Sequence, residues 1–330
     1  MNHFNHIYND EIIAGLDPVR DKQIIFRLSD LDWHYEIKPL FYYKNKDEMT
    51  LSGSKQLLIS RSGETTEVAV RGKDFNIIPI DKLYDVFLTL RDPLKLELYA
   101  LGHTREGKFI YVVARMNRNA SSIASDLGFH YCIIIYTVND GNGKTKFAPV
   151  WIKDDQVQYQ VSAISGKDQR GKPTYLSTCY ELSHHYEFDS LEAAISVKNS
   201  IEDHAGDFES KMSEFSEIGI SADHVSEFHH RMYRRFEIGN EKTKRGYEKV
   251  TSELLNHHDK FNPTLPFRYQ HTLCALYLSF VSYIDREKKR KLGKDGRITS
   301  INFTHDNVTK RAAFEEISKL ASEILSKKHA

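Results

Sequence analysis

Histidine is the residue type in this chain that most suggests chemistry. Sixteen are present, with adjacent pairs at His184-His185, His229-His230 and His257-His258. Neighbouring side chains on a helix point about 100° apart, so such a pair does not clamp one ion as an i,i+4 pair does. No HExxH or His–Cys–Cys spacing accompanies them, and neither a metal nor another cofactor is expected. The stretch GNGKTK at 141–146 carries the glycines and lysines of a phosphate loop. It lacks the spacer of GxxxxGK[ST] and no helix signal follows, so it reads as a hairpin tip. Cys179 precedes His184 and His185 in STCYELSHH, but catalytic Cys–His pairs meet in space and sequence proximity does not create one. Asp154-Asp155 sit in a polar stretch and read as solvated. No residue is assigned a catalytic role, and the balance leans away from an enzyme.

Basic residues give the stronger signal. Arg61, Arg71, Lys73, Arg105, Lys108, Arg115, Lys144 and Lys146 are interleaved with aromatics such as Tyr111 through the first half. A sheet with a positive track and exposed aromatic faces holds single strands without reading their sequence. Alternation in KFIYVVARM puts Phe109, Tyr111, Val113 and Arg115 on one face, and the competing reading is that Phe109 and Tyr111 are core. Lys288, Lys289, Arg290 and Lys291 form a second candidate phosphate contact, against the plainer reading of a solvated loop.

These residues need elements to position them. Residues 1–30 read as an N-terminal arm with the amphipathic stretch QIIFRL. Trp33–Tyr43 is aromatic and β-branched, bending at Pro39. Lys55–Ser60 and Glu67–Arg71 flank Ser62-Gly63-Glu64, a hairpin signal. In Asp81–Leu90 the apolar residues Leu83, Val86, Phe87 and Leu90 fall at helical spacing. Two further hairpins follow: Lys95–Leu101 with Lys108–Met116, then His130–Val138 with Lys146–Ile152 around Asn139-Asp140-Gly141-Asn142-Gly143. Residues 153–175 read as a loop.

From Asp189 the period becomes that of helices. Leu191, Ala194, Ile195, Ile201, Ala205, Phe208, Met212 and Phe215 make one stripe. Ser221 is the expected cap of a second helix, a third runs about Thr243–His257, Pro266 opens a fourth, and the last starts near Asp306. The expectation is an α+β chain: an antiparallel or mixed sheet of hairpins with a helix packed on it in residues 31–188, then a helical domain in 189–330.

The bulk properties set bounds. The 330 residues are 40% hydrophobic, 12% aromatic and 28% charged, a globular composition large enough to bury a core. Cys132, Cys179 and Cys274 are scattered and read as buried thiols of a reducing, cytoplasmic compartment. The N-terminal residues lack a basic start followed by an apolar core, so no signal peptide is expected. No membrane partner is expected, since no apolar run reaches spanning length. Net charge is zero but unevenly placed: residues 151–230 hold 6 basic and 15 acidic groups, and residues 231–330 hold 21 basic and 12 acidic. Such asymmetry hints at a polyanion partner.

The order of segments resembles the phage/plasmid-like family known as domain of unknown function 932. LDWHYEIKPLFYY is similar to that family's early Trp-containing strand, and VRGKDFNIIPIDKLYDVFLTL to its strand–Pro–helix segment. LYALGHTREGKFIYVVARM resembles its hairpin closing on a basic residue, and LSTCYELSHHYEFDSLEAA its Cys-containing strand before a helix. ALYLSFVSYIDREKKR with TKRAAFEEISKLA resembles its closing pair of helices. Departures are Tyr180 and Glu181 where members often carry Asn, and a more basic closing loop. The resemblance implies a protein of a phage, plasmid or integrated element and assigns no activity.

By analogy alone, mobile elements encode single-strand annealing proteins of the Red-beta, Erf and RecT groups, which pair hairpins with a helix and assemble as rings or filaments. The leading expectation is therefore single-stranded DNA binding or annealing in recombination by a homo-oligomer. The competing expectations are a metal-dependent nuclease or nucleotide-modifying enzyme, and a phage-encoded adaptor or inhibitor of a host protein acting through the acidic 191–230 helix. A host or phage replication or recombination protein is a further possible partner.

Overall fold

The structure is a computed structural model. It describes residues 13, 15–46, 48–59, 67–72, 75–104, 106–116, 122–140, 144–153, 165–167, 173–175, 180–182, 190–237, 241–288 and 305–328. The chain is α+β, with strands through the first half and helices through the second. A short helix α1 (Lys22–Leu28) leads into a three-stranded antiparallel sheet of β1 (Glu36–Asn45), β2 (Glu48–Ile59) and β3 (Glu67–Gly72). Helix α2 (Ile80–Arg91) follows, then strands β4 (Leu96–Thr104) and β5 (Phe109–Met116). A six-residue helix α3 (Ser122–Leu127), too short to carry a periodic signal, precedes β6 (Phe129–Val138) and β7 (Thr145–Lys153).

Residues 165–167 and 173–175, expected to be loop, form the paired strands β8 (Ser165–Lys167) and β9 (Pro173–Tyr175). Runs of three residues are too short for alternation to show. Strand β10 (Tyr180–Leu182) completes a five-stranded sheet in the order β10-β7-β6-β5-β4. Every described pairing in it is antiparallel.

The helices are α4 (Ser190–Ser216), α5 (Ala222–Glu237), α6 (Glu241–Phe261), α7 (Leu273–Ser282), a π-turn (Tyr283–Glu287) and α8 (His305–Lys328). Pro266 does not open the fourth helix. It precedes a single 3-10 turn, Phe267–Tyr269. α7 starts at Leu273 because Thr272 is extended and its hydroxyl accepts the Ala275 N–H at 3.2 Å. Ser221 does flank α5, with its hydroxyl 3.1 Å from His224 Nδ1. Leu191 and Ile195, expected to face inward, are exposed, while Ala194, Ile201, Phe208, Met212 and Phe215 are buried.

One hydrophobic cluster runs without a break from one sheet face into the helices. Ile110, Val112, Ile133, Ile135, Phe147 and Trp151 point to that side. Trp151 meets Phe208 edge-on at 4.7 Å, and Phe208 stacks on Phe314 at 5.7 Å. Every residue of α7 is buried, as a helix that is apolar apart from Ser279 and Ser282 requires. The opposite sheet face, with Phe109, Tyr111, Val113, Ile134, Tyr136 and Val150, forms a second buried cluster. The five-stranded sheet is thus covered on both sides, which explains strands that are nearly continuous apolar runs.

The two sheets are joined through Asn139, which is fully buried. Its side-chain amide donates to the Tyr35 hydroxyl at 2.9 Å and to the Ile78 carbonyl at 3.0 Å. Its side-chain oxygen accepts the Ile78 N–H at 3.1 Å, and its main-chain N–H donates to the Lys108 carbonyl at 2.7 Å. The Tyr35 hydroxyl in turn donates to the Gly107 carbonyl at 2.6 Å. Asn139→Ala leaves several of these buried groups unpaired, at a cost on the order of 3 kcal/mol. Urea unfolding of the variant measures it, and a loss within error of zero would show that the clasp contributes nothing.

Candidate nucleic-acid interface

The strand register decides which of the basic residues come together. Lys108 closes the β4–β5 turn, and Lys144 follows the β6–β7 turn, at the same end of the five-stranded sheet. The Asn139–Lys108 backbone bond ties the two turns to each other. Lys144 is exposed and Lys108 half-buried. Arg71 lies at this end as well. Its guanidinium donates to the Val70 carbonyl at 3.3 Å and to the Asp140 carbonyl, so it braces the small sheet against the β6–β7 turn.

Lys146 stands one step further in. It heads a cross-strand row of Glu181, Lys146, Tyr136, Tyr111 and Gly102. Arg115 is at the other end of the sheet, in the row Glu97, Arg115, Cys132, Val150. Six residues separate it from Phe109, roughly 20 Å of strand. Arg115 faces Glu97 directly across a strand pair, an opposite-charge arrangement that offsets both locally, and Lys146 is the register partner of Glu181.

Tyr111 does not present its ring to solvent. It is 4% exposed, and its ring lies across Gly102, where an added Cβ would sit 2.6 Å from the Tyr111 hydroxyl. The expected stacking of a base on Tyr111 is therefore corrected: the absent side chain of Gly102 makes room for a core tyrosine. Lys288 pairs with the buried carboxylate of Asp306 at 3.0 Å, which commits its charge within the fold. Arg61, Lys73, Arg105, Lys289, Arg290 and Lys291 lie outside the described residues, as does Cys179. Cys132 and Cys274 are buried, and burial pushes the Cys274 thiol up to about 12.

Two clusters in the helical half carry buried charge or titratable groups. Asp285 sits in the π-turn after α7, and Lys310 on α8 reaches both its oxygens at 3.0 and 3.3 Å. Both side chains are fully buried. The Tyr277 hydroxyl, also fully buried, has no hydrogen-bond partner among the described residues, and burial, reinforced by the Asp285 charge, raises its pKa. The second cluster is His229 on α5 and His258 on α6. The His258 ring meets the Ser279 hydroxyl at 2.8 Å. Burial, then the neighbouring His258, pushes His229 down to about 3, and burial also lowers His258. Among the described residues no group of three or more His, Cys, Asp or Glu is disposed to hold a metal ion.

Sequence reasoning missed a third feature, an exposed hairpin. β2 returns from β1 through Lys46, and Phe41, Tyr42, Tyr43, Met49 and Leu51 on it are all exposed. The signal was present in FYYKNKDEM, where a polar turn divides two apolar runs. No family model, curated protein or solved structure matches the chain.

Lys310→Met alone strands the Asp285 carboxylate in the core and costs about 3–5 kcal/mol, while the double variant with Asp285→Leu recovers most of that loss. Equal destabilisation of single and double variants in urea melts would show that the charges are not coupled. The folded protein holds His229 and His258 neutral, so below the unfolded histidine pKa of about 6.5 the unfolded chain takes up more protons. Stability is fully present above that pH and falls as pH drops toward the folded values, by up to about 1.4 kcal/mol per pH unit for His229. His229→Leu should flatten this slope between pH 6 and 4. An unchanged slope in pH-dependent melts would contradict the assignment.

Proposed function

We propose that this protein binds single-stranded nucleic acid without sequence readout, at the sheet end where the β4–β5 and β6–β7 turns meet. The observation that carries the reading is the delivery of Lys108 and Lys144 to one edge by two turns tied through Asn139. Cations on a rigid support hold phosphates with little ordering cost on binding. Because Tyr111 and Tyr136 are buried, affinity at this site is electrostatic, with bases left free to meet a partner strand. A role in recombination rests on analogy with annealing proteins, with which the hairpin-and-helix arrangement is compatible.

A second reading, an adaptor that docks on a host or phage protein, is favoured by a specific observation. Lys288 is paired with Asp306 and Arg115 stands opposite Glu97, so part of the positive charge is spent within the molecule.

Salt dependence separates the two. The double variant Lys108→Ala/Lys144→Ala should bind oligothymidine more weakly at low salt. The slope of log affinity against log salt should fall by roughly 1.4, about 0.7 for each phosphate no longer neutralised. The weakening should be the same for other sequences and should shrink as salt rises. Binding that is unaltered in the variant, or strand cleavage on adding magnesium, would overturn the proposal.

A further inference from the structure

We propose that the tip of the β1–β2 hairpin, residues 41–51, is a self-association arm that packs on the same arm of a second copy of this chain. The first support is topological. β3 pairs with β2 only over Lys55–Ile59, and beyond it β1 has β2 alone as neighbour. The step from the Pro39–Gln56 pair to the Phe41–Leu51 pair passes over one residue of β1 and Ser52–Lys55 of β2, so the tip is set off from the rest of its sheet. A two-stranded ribbon alone in water is marginally stable and needs a third surface to pack on.

The second support is the surface itself. Of the thirteen exposed large hydrophobic residues among those described, six lie on these two strands: Ile37, Phe41, Tyr42, Tyr43, Met49 and Leu51. The register places Phe41 against Leu51 and Tyr43 against Met49. Alternation puts these four on one face of the ribbon. Tyr43, at 71% exposed, is the most open of them. A contiguous apolar face of this kind marks an interaction surface, and aromatics with Met are the residues that interfaces favour.

The choice of occupant rests on charge. Residues 36–51 hold three lysines (Lys38, Lys44, Lys46) and three acids (Glu36, Asp47, Glu48). A neutral arm has no net pull on phosphates and no net repulsion from its own copy. The four-residue apolar face is a single patch, so a two-fold axis can bury it against itself, the isologous arrangement of most homodimers. Two such ribbons stack face to face as paired sheets do, about 10 Å apart. This inference does not depend on the nucleic-acid reading, since the arm and Lys108/Lys144 are separate residue sets.

Sedimentation equilibrium of the full chain, without nucleic acid and at micromolar concentrations, tests it. The expected mass is twice 38.3 kDa or a higher even multiple, falling to 38.3 kDa in Tyr43→Ser/Met49→Ser with unchanged circular dichroism. In a second arm, Tyr43→Cys should form an inter-chain disulfide under mild oxidation, while Glu97→Cys, at an exposed position away from the hairpin, should not. A wild-type monomer overturns the proposal, as does an oligomer that survives the double variant. A monomer whose tyrosine fluorescence is quenched by oligothymidine also overturns it, and would give the arm to base stacking.

Discussion

Asn139 ties the turn after β6 to the segments that lead into β1 and α2, and with Arg71 it holds the two sheets together. It is the first residue of the turn after β6, and it is fully buried where α2, β1 and the β4–β5 turn converge. Its amide offers donor and acceptor together, which is what the Ile78 peptide requires, and its second N–H reaches the Tyr35 hydroxyl. An aspartate there would lose both donated bonds, and an aliphatic residue all three. Burial raises the Tyr35 pKa and keeps its hydroxyl protonated, against the smaller opposing effect of the Asn139 bond, and that hydroxyl passes the connection on to Gly107. The consequence for function is geometric. The two basic turns are fixed relative to one another and to the root of the exposed hairpin.

The helical half solves a different problem. It covers one sheet face through Trp151, Phe208 and Phe314, and it encloses the Asp285–Lys310 pair in the same packing. Tyr269 ties it to α3 by donating to Asp126 at 2.6 Å. Burying an ion pair gives little net stability but strongly penalises any arrangement that separates the charges. The π-turn at Tyr283–Glu287 is what brings Asp285 inward, since one extra residue per turn rotates the side chain relative to an α-helical continuation. With Lys288 drawn to Asp306, the chain just after the π-turn is fastened to the start of α8. The positive excess of the last hundred residues is thus partly structural.

Much of this was legible in the sequence because it depends on period and turn chemistry. The alternation of KFIYVVARM separates the two sheet faces as observed, with Phe109, Tyr111 and Val113 in one cluster and Ile110, Val112 and Ala114 in the other. The switch near Asp189 marks the helical half. What period cannot give is which faces are covered twice. Tyr111 has the same pattern whether it is exposed or laid over Gly102, and only the cross-strand register distinguishes the two. Basic residues likewise carry no mark of their partners. Glu97 and Glu181 are remote in sequence from Arg115 and Lys146, and Asp306 from Lys288.

On the proposed function, a single strand binds at the end of the sheet held by Asn139. Hydrogen–deuterium exchange with and without a saturating oligothymidine tests that location directly. The expected result is slowed exchange at residues 104–109 and 138–146, with the centre of the sheet unchanged because it is already protected. Slowing confined to the segment after Lys288, or none anywhere at saturation, would contradict it.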